Sequence, residues 1–389
     1  MILSKEKNKL RAKVAKKCSA EEQEQAKGDP HAWREKCVSV LPIISGKDCP
    51  YACTYCYIQS MGYEFKEPEP LDLTGPQLCY ALLENKEFIP GPVGTPLVFG
   101  HISEPFLPQL KDNTLDYFKA ISSFLGNPIQ FATKMYLDPA AVKEIRKCIK
   151  PKYLSPLVSI TTLTHAKKLE PNAPSPEKRL ETIKNLTNAG YKVFLYLRPL
   201  IPGIVDYDIE ELLIESQKAG AVGVVTGGFR VTLSAFNNMK KAKLNVAEIA
   251  QRAPNIDKKQ RYIYTKDLED KVIRSAKEKK LISLHSTKCA VAYVCKVPCT
   301  SLYWVYNPNM CTRCKNCRDE MPKFKQKQME QSISDIITPE IITKVTMNKD
   351  GIEIKVKSKE PNIPGPNLVE PWKPRVLETL FRQRVTIRK

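Results

Sequence analysis

Nine of the chain's 13 cysteines fall into two groups whose spacing suits metal chemistry. The first is Cys49-Pro-Tyr-Ala-Cys53-Thr-Tyr-Cys56-Tyr57, with three thiols on one short stretch. Thiolates are soft ligands, and three so close together can face a single centre. Structural zinc is normally closed by four ligands and shows CxxC pairs. A spacing of three then two residues, with no fourth cysteine nearby, fits a 4Fe-4S cluster held at three irons with the fourth left open. An open iron is what a cluster needs to bind a reactant rather than only pass electrons.

The second group holds Cys289, Cys295, Cys299, Cys311, Cys314 and Cys317. Cys311-x-x-Cys314-x-x-Cys317 repeats the spacing of ferredoxin-like cluster ligands, although the usual fourth cysteine does not follow Cys317. One of Cys289, Cys295 or Cys299 could complete a set of four, which makes an auxiliary 4Fe-4S cluster the expectation and zinc the alternative. Cys18, Cys37, Cys79 and Cys148 stand alone and read as small apolar or surface residues.

Alternating apolar runs and helical patterns place the first group. Strands are expected at residues 38–44, 97–102, 129–133, 157–163, 193–197 and 222–225, with helices near 74–84, 114–125, 140–149, 175–189 and 209–218. Thr74 before Pro76, Asp138 before Pro139 and Ser175 before Pro176 are helix-start signals. Six βα units imply an α/β fold with a parallel sheet, a partial (β/α)6 TIM-type barrel, whose ligand site lies at the carboxyl ends of the strands. The Cys49–Cys56 loop follows the first strand at that end. His101, Ser103 and Glu104 follow the second, Lys134 the third and Arg198 the fifth, while Ser159 and Thr161 sit at the fourth. Lys134 is suited as a point charge to meet a carboxylate.

CxxxCxYC after an apolar strand resembles the signature of the radical S-adenosylmethionine (SAM) superfamily. The resemblance implies that the open iron binds the amino and carboxylate groups of SAM. It also implies reductive cleavage of SAM to a 5′-deoxyadenosyl radical that abstracts hydrogen from a substrate. By the same resemblance Ser103 and Glu104 lie where the SAM amino group commonly binds, Ser159 and Thr161 are expected ribose contacts, and Tyr55 and Tyr57, flanking Cys56, are expected to pack on SAM or shield the cluster. The segment Pro199-Leu-Ile-Pro-Gly-Ile-Val-Asp206 is similar to the superfamily's GxIxGxxE adenine-binding segment, with proline for the first glycine and aspartate for the glutamate. Ile201 and Gly203 are its best-matching residues.

A closer resemblance, over residues 38–229, is to spore photoproduct lyase and its relatives, often labelled DNA repair photolyases. It rests on CPYACTYCYIQ, GHISEPFLP, FATK and SITTLTHAKKLEPNAPSPEKRLETIKNLTNAGYKVFLYLRPLIPGIVD. The EPNAPSPEKRL stretch is its most distinctive part, since a barrel does not require it. The lyase's hydrogen-donor cysteine has no counterpart in a matching motif, because the one cysteine in that interval, Cys79, falls in an expected helix. The C-terminal cysteine block departs from that family.

Lys plus Arg number 62 against 42 Asp plus Glu, a formal net charge of +20. A field of that sign attracts polyanions and brings nucleic acid forward as a partner, although a lysine-rich proteome gives the same number. Between residues 240 and 288 there are 14 Lys or Arg against 6 Asp or Glu, and Arg261-Tyr-Ile-Tyr264 sets aromatics beside cations. Those tyrosines read either as stacking platforms or as one more strand. No apolar run reaches membrane-spanning length and no secretory signal opens the chain, so a cytoplasmic protein without a membrane partner is expected.

The expected organisation is a basic extension at 1–36, a barrel at 37–235, a basic connection at 236–288, a cysteine segment at 289–321 and an add-on at 322–389. The add-on carries a hairpin around Asn348–Gly351 and a proline-rich tail. Two functions compete: radical SAM chemistry on nucleic acid, and radical SAM modification of a peptide, protein or small molecule assisted by the auxiliary cluster. Either needs a one-electron donor of the flavodoxin or ferredoxin type. The residues that perform catalysis beyond cofactor binding are not assigned by the sequence.

Overall fold

The computed structural model describes residues 3–37, 39–300, 324–348, 351–357 and 369–388. Its centre is a seven-stranded parallel sheet: β1 (Leu41–Pro42), β4 (Leu97–Phe99), β5 (Ile129–Thr133), β6 (Leu154–Ser159), β7 (Phe194–Leu197), β8 (Gly223–Thr226) and β11 (Ile282–Leu284). They lie in that order, and β1 and β11 do not pair, so the barrel is open. The short β2 (Gly46–Lys47) and β3 (Glu69–Pro70) bracket the first cysteine loop as an antiparallel pair.

The crossovers are helical for local reasons. In α3 (Gly75–Glu84) Thr74 and Gln77 form a reciprocal capping box, with Pro76 in the first turn. Asp138 caps α5 (Pro139–Cys148) and Ser175 caps α7 (Pro176–Asn188) through side-chain oxygens. The helices α4 (Lys111–Ala120) and α8 (Ile209–Lys218) complete the βα pattern expected of the sequence.

Side chains alternate across the sheet, as the period of a strand demands. Val158, Leu195 and Val224 join the core shared with these helices. Their neighbours Leu157, Phe194 and Val225 face the other way and pack on α12 (Thr287–Cys295), which fills the concave side of the open barrel. Both faces are therefore apolar, as a parallel sheet requires.

Several expectations are corrected. The first strand is confined to Leu41–Pro42, and Val38 lies outside the described residues. The fourth begins three residues early, at Leu154, and ends at Ser159. The chain then leaves the sheet because Asp208 gathers the Thr162 hydroxyl with the Leu163 and Thr164 N–H groups. A seventh strand, β11, pairs with β8 inside the stretch read as a basic connection. That stretch also holds α9 (Leu233–Lys241), α10 (Ala247–Arg252) and α11 (Lys266–Glu278). The Arg261–Tyr264 segment contains the expected strand: β10 (Arg261–Tyr262) pairs with β9 (Arg230–Val231), Ile263 is buried, and Tyr262 and Tyr264 are 66% and 62% exposed.

The basic N-terminal segment is helical, as α1 (Leu3–Ala15) and α2 (Ala20–Gly28). At the other end β12 (Ile342–Asn348) and β13 (Gly351–Val356) form the expected antiparallel pair, and β14 (Val385–Arg388) adds in parallel. With α13 (Gln326–Ile336) and α14 (Trp372–Phe381) they enclose a second core that also takes in Leu3 and Ile89. Arg382, buried beside this core, donates to the carbonyls of Pro298 and Val93 and ties the small unit to the barrel. No helix among the described residues is long and apolar enough to cross a membrane.

Candidate functional site

The loop after β1 makes two tight bends without glycine: Asp48 and Ala52 adopt φ of 66° and 49°. Neighbouring groups satisfy the bent backbone. The Asp48 carboxylate accepts the Glu64 N–H at 2.7 Å, and its carbonyl accepts the Ser103 hydroxyl at 2.5 Å. The Cys49 N–H donates to Glu64, and the Cys56 N–H to Cys53 at 2.9 Å, closing a turn between the last two thiols.

Cys49, Cys53 and Cys56 line one cavity of about 180 Å³ at the carboxyl ends of the strands. Also in its wall are Tyr55, Ser103, Glu104, Lys134, Ser159 and Arg198, six of the eight cofactor contacts expected from the sequence. Ile201 and Gly203 do not line it. Ile201 is wholly buried in the main core, and Gly203, at φ +75°, directs its open side toward Glu248 and donates its N–H to Asp206. Thr161 is also out of the cavity, bonded to Glu170 and the Arg198 carbonyl.

Burial raises the thiols of Cys49, Cys53 and Cys56 above the usual range, while the Lys134 ammonium pulls the other way. A cation beside these three thiols favours their thiolate, metal-binding form. Among the described residues no three His, Cys, Asp or Glu side chains are gathered tightly enough to hold a single metal ion. Three soft donors on one loop, sharing one cavity, fit the ligand set of a multi-iron cluster.

Glu104 is buried, and each of its carboxylate oxygens already accepts one short hydrogen bond. It accepts the Thr133 hydroxyl at 2.6 Å and the Lys134 N–H at 2.8 Å. Burial nevertheless keeps its pKa above the ordinary carboxylate value, these hydrogen bonds opposing the shift. Lys134 extends over the Tyr55 ring, 5.8 Å from its centroid, with its ammonium 3.9 Å from Glu170. Burial would lower this lysine; the charge of its neighbours outweighs that and holds it protonated. Arg198 donates to the Tyr196 hydroxyl at 3.1 Å. His101 lines the same cavity at an exposed position, where crowding by the cavity wall and the cations Arg198 and Lys288 push it down to about 4.

Glu170 and Arg179 were not assigned a role by sequence reasoning. They form an ion pair with side-chain exposures of 0% and 1%, directly behind the cysteine loop. The signal was present in the EPNAPSPEKRL stretch, which begins and nearly ends with these two residues, but their partner Tyr55 lies far away in sequence.

In the second thiol group, Cys289 opens α12 within hydrogen-bonding reach of Cys299 and 3.3 Å from the Ser286 hydroxyl. Cys295 ends the same helix, where burial alone pushes its thiol up to about 12. The chain reverses at Lys296, in the left-handed region, which brings Cys299 back alongside the first turn. Cys311, Cys314 and Cys317 lie outside the described residues.

A model of the radical SAM superfamily matches residues 43–215. An uncharacterized protein of Methanocaldococcus jannaschii is 27% identical over 166 residues, covering 41% of this chain and 60% of that protein, less than two thirds of its length. A point variant of spore photoproduct lyase superposes with a TM-score of 0.53 at 17% identity, covering 65% of this chain and 78% of the lyase chain. Spore photoproduct lyase complexed with dinucleoside spore photoproduct gives 0.51 at 18% identity, covering 63% and 75%. At such identities the likeness to the lyase is one of fold. Residues 43–215 therefore carry a match to the radical SAM superfamily, and the chain shares the fold seen in spore photoproduct lyase.

Proposed function

We propose that this protein binds a 4Fe-4S cluster through Cys49, Cys53 and Cys56 and uses SAM to start radical chemistry on a substrate held in the adjoining cavity. The observation that carries the reading is the convergence of three thiols, the Glu104 carboxyl group and a cationic Lys134 on one cavity at the strand ends. When bound, the cluster and SAM supply a 5′-deoxyadenosyl radical that abstracts hydrogen. The chain's own residues bind, orient and exclude water. Glu104 presents a carboxylate to an amino group, and Lys134 an ammonium to a carboxylate. Ser103 holds the loop through Asp48, Ser159 faces the cavity from β6, and Arg198 closes the β7 side. Tyr55 contributes its ring, because its hydroxyl is committed to Glu170. Electrons come from a one-electron donor of the flavodoxin or ferredoxin type.

Nucleic acid is the substrate we favour. The net charge of +20 and the exposed Tyr262 and Tyr264 beside Arg230 and Arg261 support it. The second reading, modification of a peptide, protein or small molecule, is favoured by the C-terminal thiols. Cys289 and Cys299 would contribute to an auxiliary 4Fe-4S cluster, or to zinc, with the cysteines at 311–317.

The test is anaerobic reconstitution with iron and sulfide, followed by electron paramagnetic resonance of the reduced protein with and without SAM. A signal that changes with SAM and vanishes in the Cys49/Cys53/Cys56→Ala variant is expected. A wild type that holds only zinc and ignores SAM overturns the proposal. Binding of single-stranded DNA and RNA that falls steeply with salt would favour the first substrate class, and no binding at low salt would eliminate it.

A further inference from the structure

The cysteine loop is held largely from outside itself. The segment joining β6 to α7, residues 160–175, includes a single helical turn at Ala166–Leu169 and lies against the back of the loop. The Leu169 carbonyl accepts both the Thr54 N–H at 2.8 Å and the Thr54 hydroxyl at 3.3 Å. Asn172 donates its amide to the Pro50 carbonyl at 2.8 Å. Between these two ties stands Glu170. One of its oxygens accepts the Tyr55 hydroxyl and, at 3.3 Å, the Thr161 hydroxyl; the other accepts the Arg179 guanidinium. Arg179 is in turn fixed by the Pro174 carbonyl at 2.7 Å and the Ser159 carbonyl at 3.1 Å. Leu169, Glu170 and Asn172 thus each hold a group of the cysteine loop.

Bracing alone does not account for a carboxylate at this node. A neutral acceptor would satisfy Tyr55 and Thr161 without the cost of burying a charge. The carboxylate also faces two cations: Arg179, and Lys134, whose ammonium stands 3.9 Å away at the cavity wall. It is therefore a negative charge set against both Arg179 and Lys134 behind Cys53 and Cys56.

Resting on the radical SAM reading above, we propose that Glu170 is a positioning residue for the cluster site. Its carboxylate fixes Tyr55 between two thiol ligands, holds Lys134 at the cavity wall, and with Arg179 sets the electrostatic potential in which a bound cluster is reduced. Reduction adds negative charge to the cluster, so a fixed negative charge nearby disfavours it and a fixed positive charge favours it.

The test is a redox titration of the reconstituted full-length protein, followed by electron paramagnetic resonance without SAM. Glu170→Gln keeps the acceptor for Tyr55 and removes the charge, so its midpoint potential is expected to move positive. Arg179→Gln is expected to move it negative, and the double variant to return it toward the wild-type value. Iron content and circular dichroism identify any variant that fails to assemble; the remaining single variant and the double variant still carry the sign test. Shifts of the same sign in both single variants, or none in assembled protein, would overturn the proposal and leave Glu170 a brace only. A wild type that takes up no cluster would overturn the radical SAM reading itself.

Discussion

Lys36 offers a quantitative test of how the C-terminal unit is joined to the barrel. It is buried on the segment that leads into β1, and its ammonium nitrogen lies 3.0 Å from the Thr379 hydroxyl on α14. Burial pushes it down to about 7, assisted by Arg382 and Arg375 and opposed by Glu87 and Glu378. The ordinary lysine value is 10.5, so between about pH 7 and 10.5 the unfolded chain binds a proton that the folded chain does not. Stability then rises with pH across that window, by about 1.4 kcal/mol per unit, up to about 5 kcal/mol in all. Lys36→Met removes the titration while keeping an unbranched chain in the same space. The variant should be more stable than wild type at pH 7.5, with the advantage shrinking by about 2–3 kcal/mol by pH 9.5. Urea unfolding of both proteins across this range, under anaerobic conditions, measures the difference. Other titrating groups contribute equally to both proteins and cancel. A difference that stays flat with pH would refute the reasoning and mean that Glu87 keeps Lys36 charged in the folded state.

Two further outcomes concern the cavity. Gly100 has φ +86° and lies so close to β5 that an added Cβ would stand 2.2 Å from the Ala132 carbonyl oxygen. Gly100→Ala should cost about 1–2 kcal/mol for the left-handed backbone alone, with the clash adding to that, and displace the turn carrying His101, Ser103 and Glu104; a lower urea midpoint and weaker SAM binding would show it. His101, at about 4, resists the proton that an unfolded histidine accepts near 6.5, so the protein loses stability as pH falls through that interval. His101→Gln should flatten this part of the acid unfolding curve, and an unchanged curve would mean that His101 is protonated with the bulk solvent.

The parts of the fold legible in the sequence are those where local pattern and tertiary environment agree. Ile129–Thr133 alternates Ile129 and Phe131 with other residues and is buried on both faces, and the capping signals at Thr74, Asp138 and Ser175 each begin the expected helix. Disagreement has particular causes. Leu154-Ser155-Pro156 looks like a loop because serine and proline are poor strand formers, yet it is paired along β5, with Phe131 opposite Pro156. Ile160–Leu163 has the composition of a strand but is drawn off the sheet by Asp208, a partner too distant in sequence for any periodicity to reveal. β11 is only three residues long, and its neighbours Lys279, Lys280 and His285 give it the appearance of a polar connection.

The same division runs through the site. Thiol spacing is a local property, and the residues at successive strand ends follow from the period of the βα unit, so both could be read in one dimension. What keeps the loop in place could not. Tyr55, Lys134, Glu170 and Arg179 come from four separate elements, and their mutual charges make sense only together: Lys134 stays protonated although buried, and Glu170 is held below the ordinary carboxylate range against its own burial by Arg179 and Lys134. An ion pair enclosed this completely is a weak source of stability compared with apolar packing of equal volume. Its place directly behind Cys53 and Cys56 gives the stretch from Glu170 to Arg179 a role in setting the charge around the thiols, which a purely architectural link between β6 and α7 would not need.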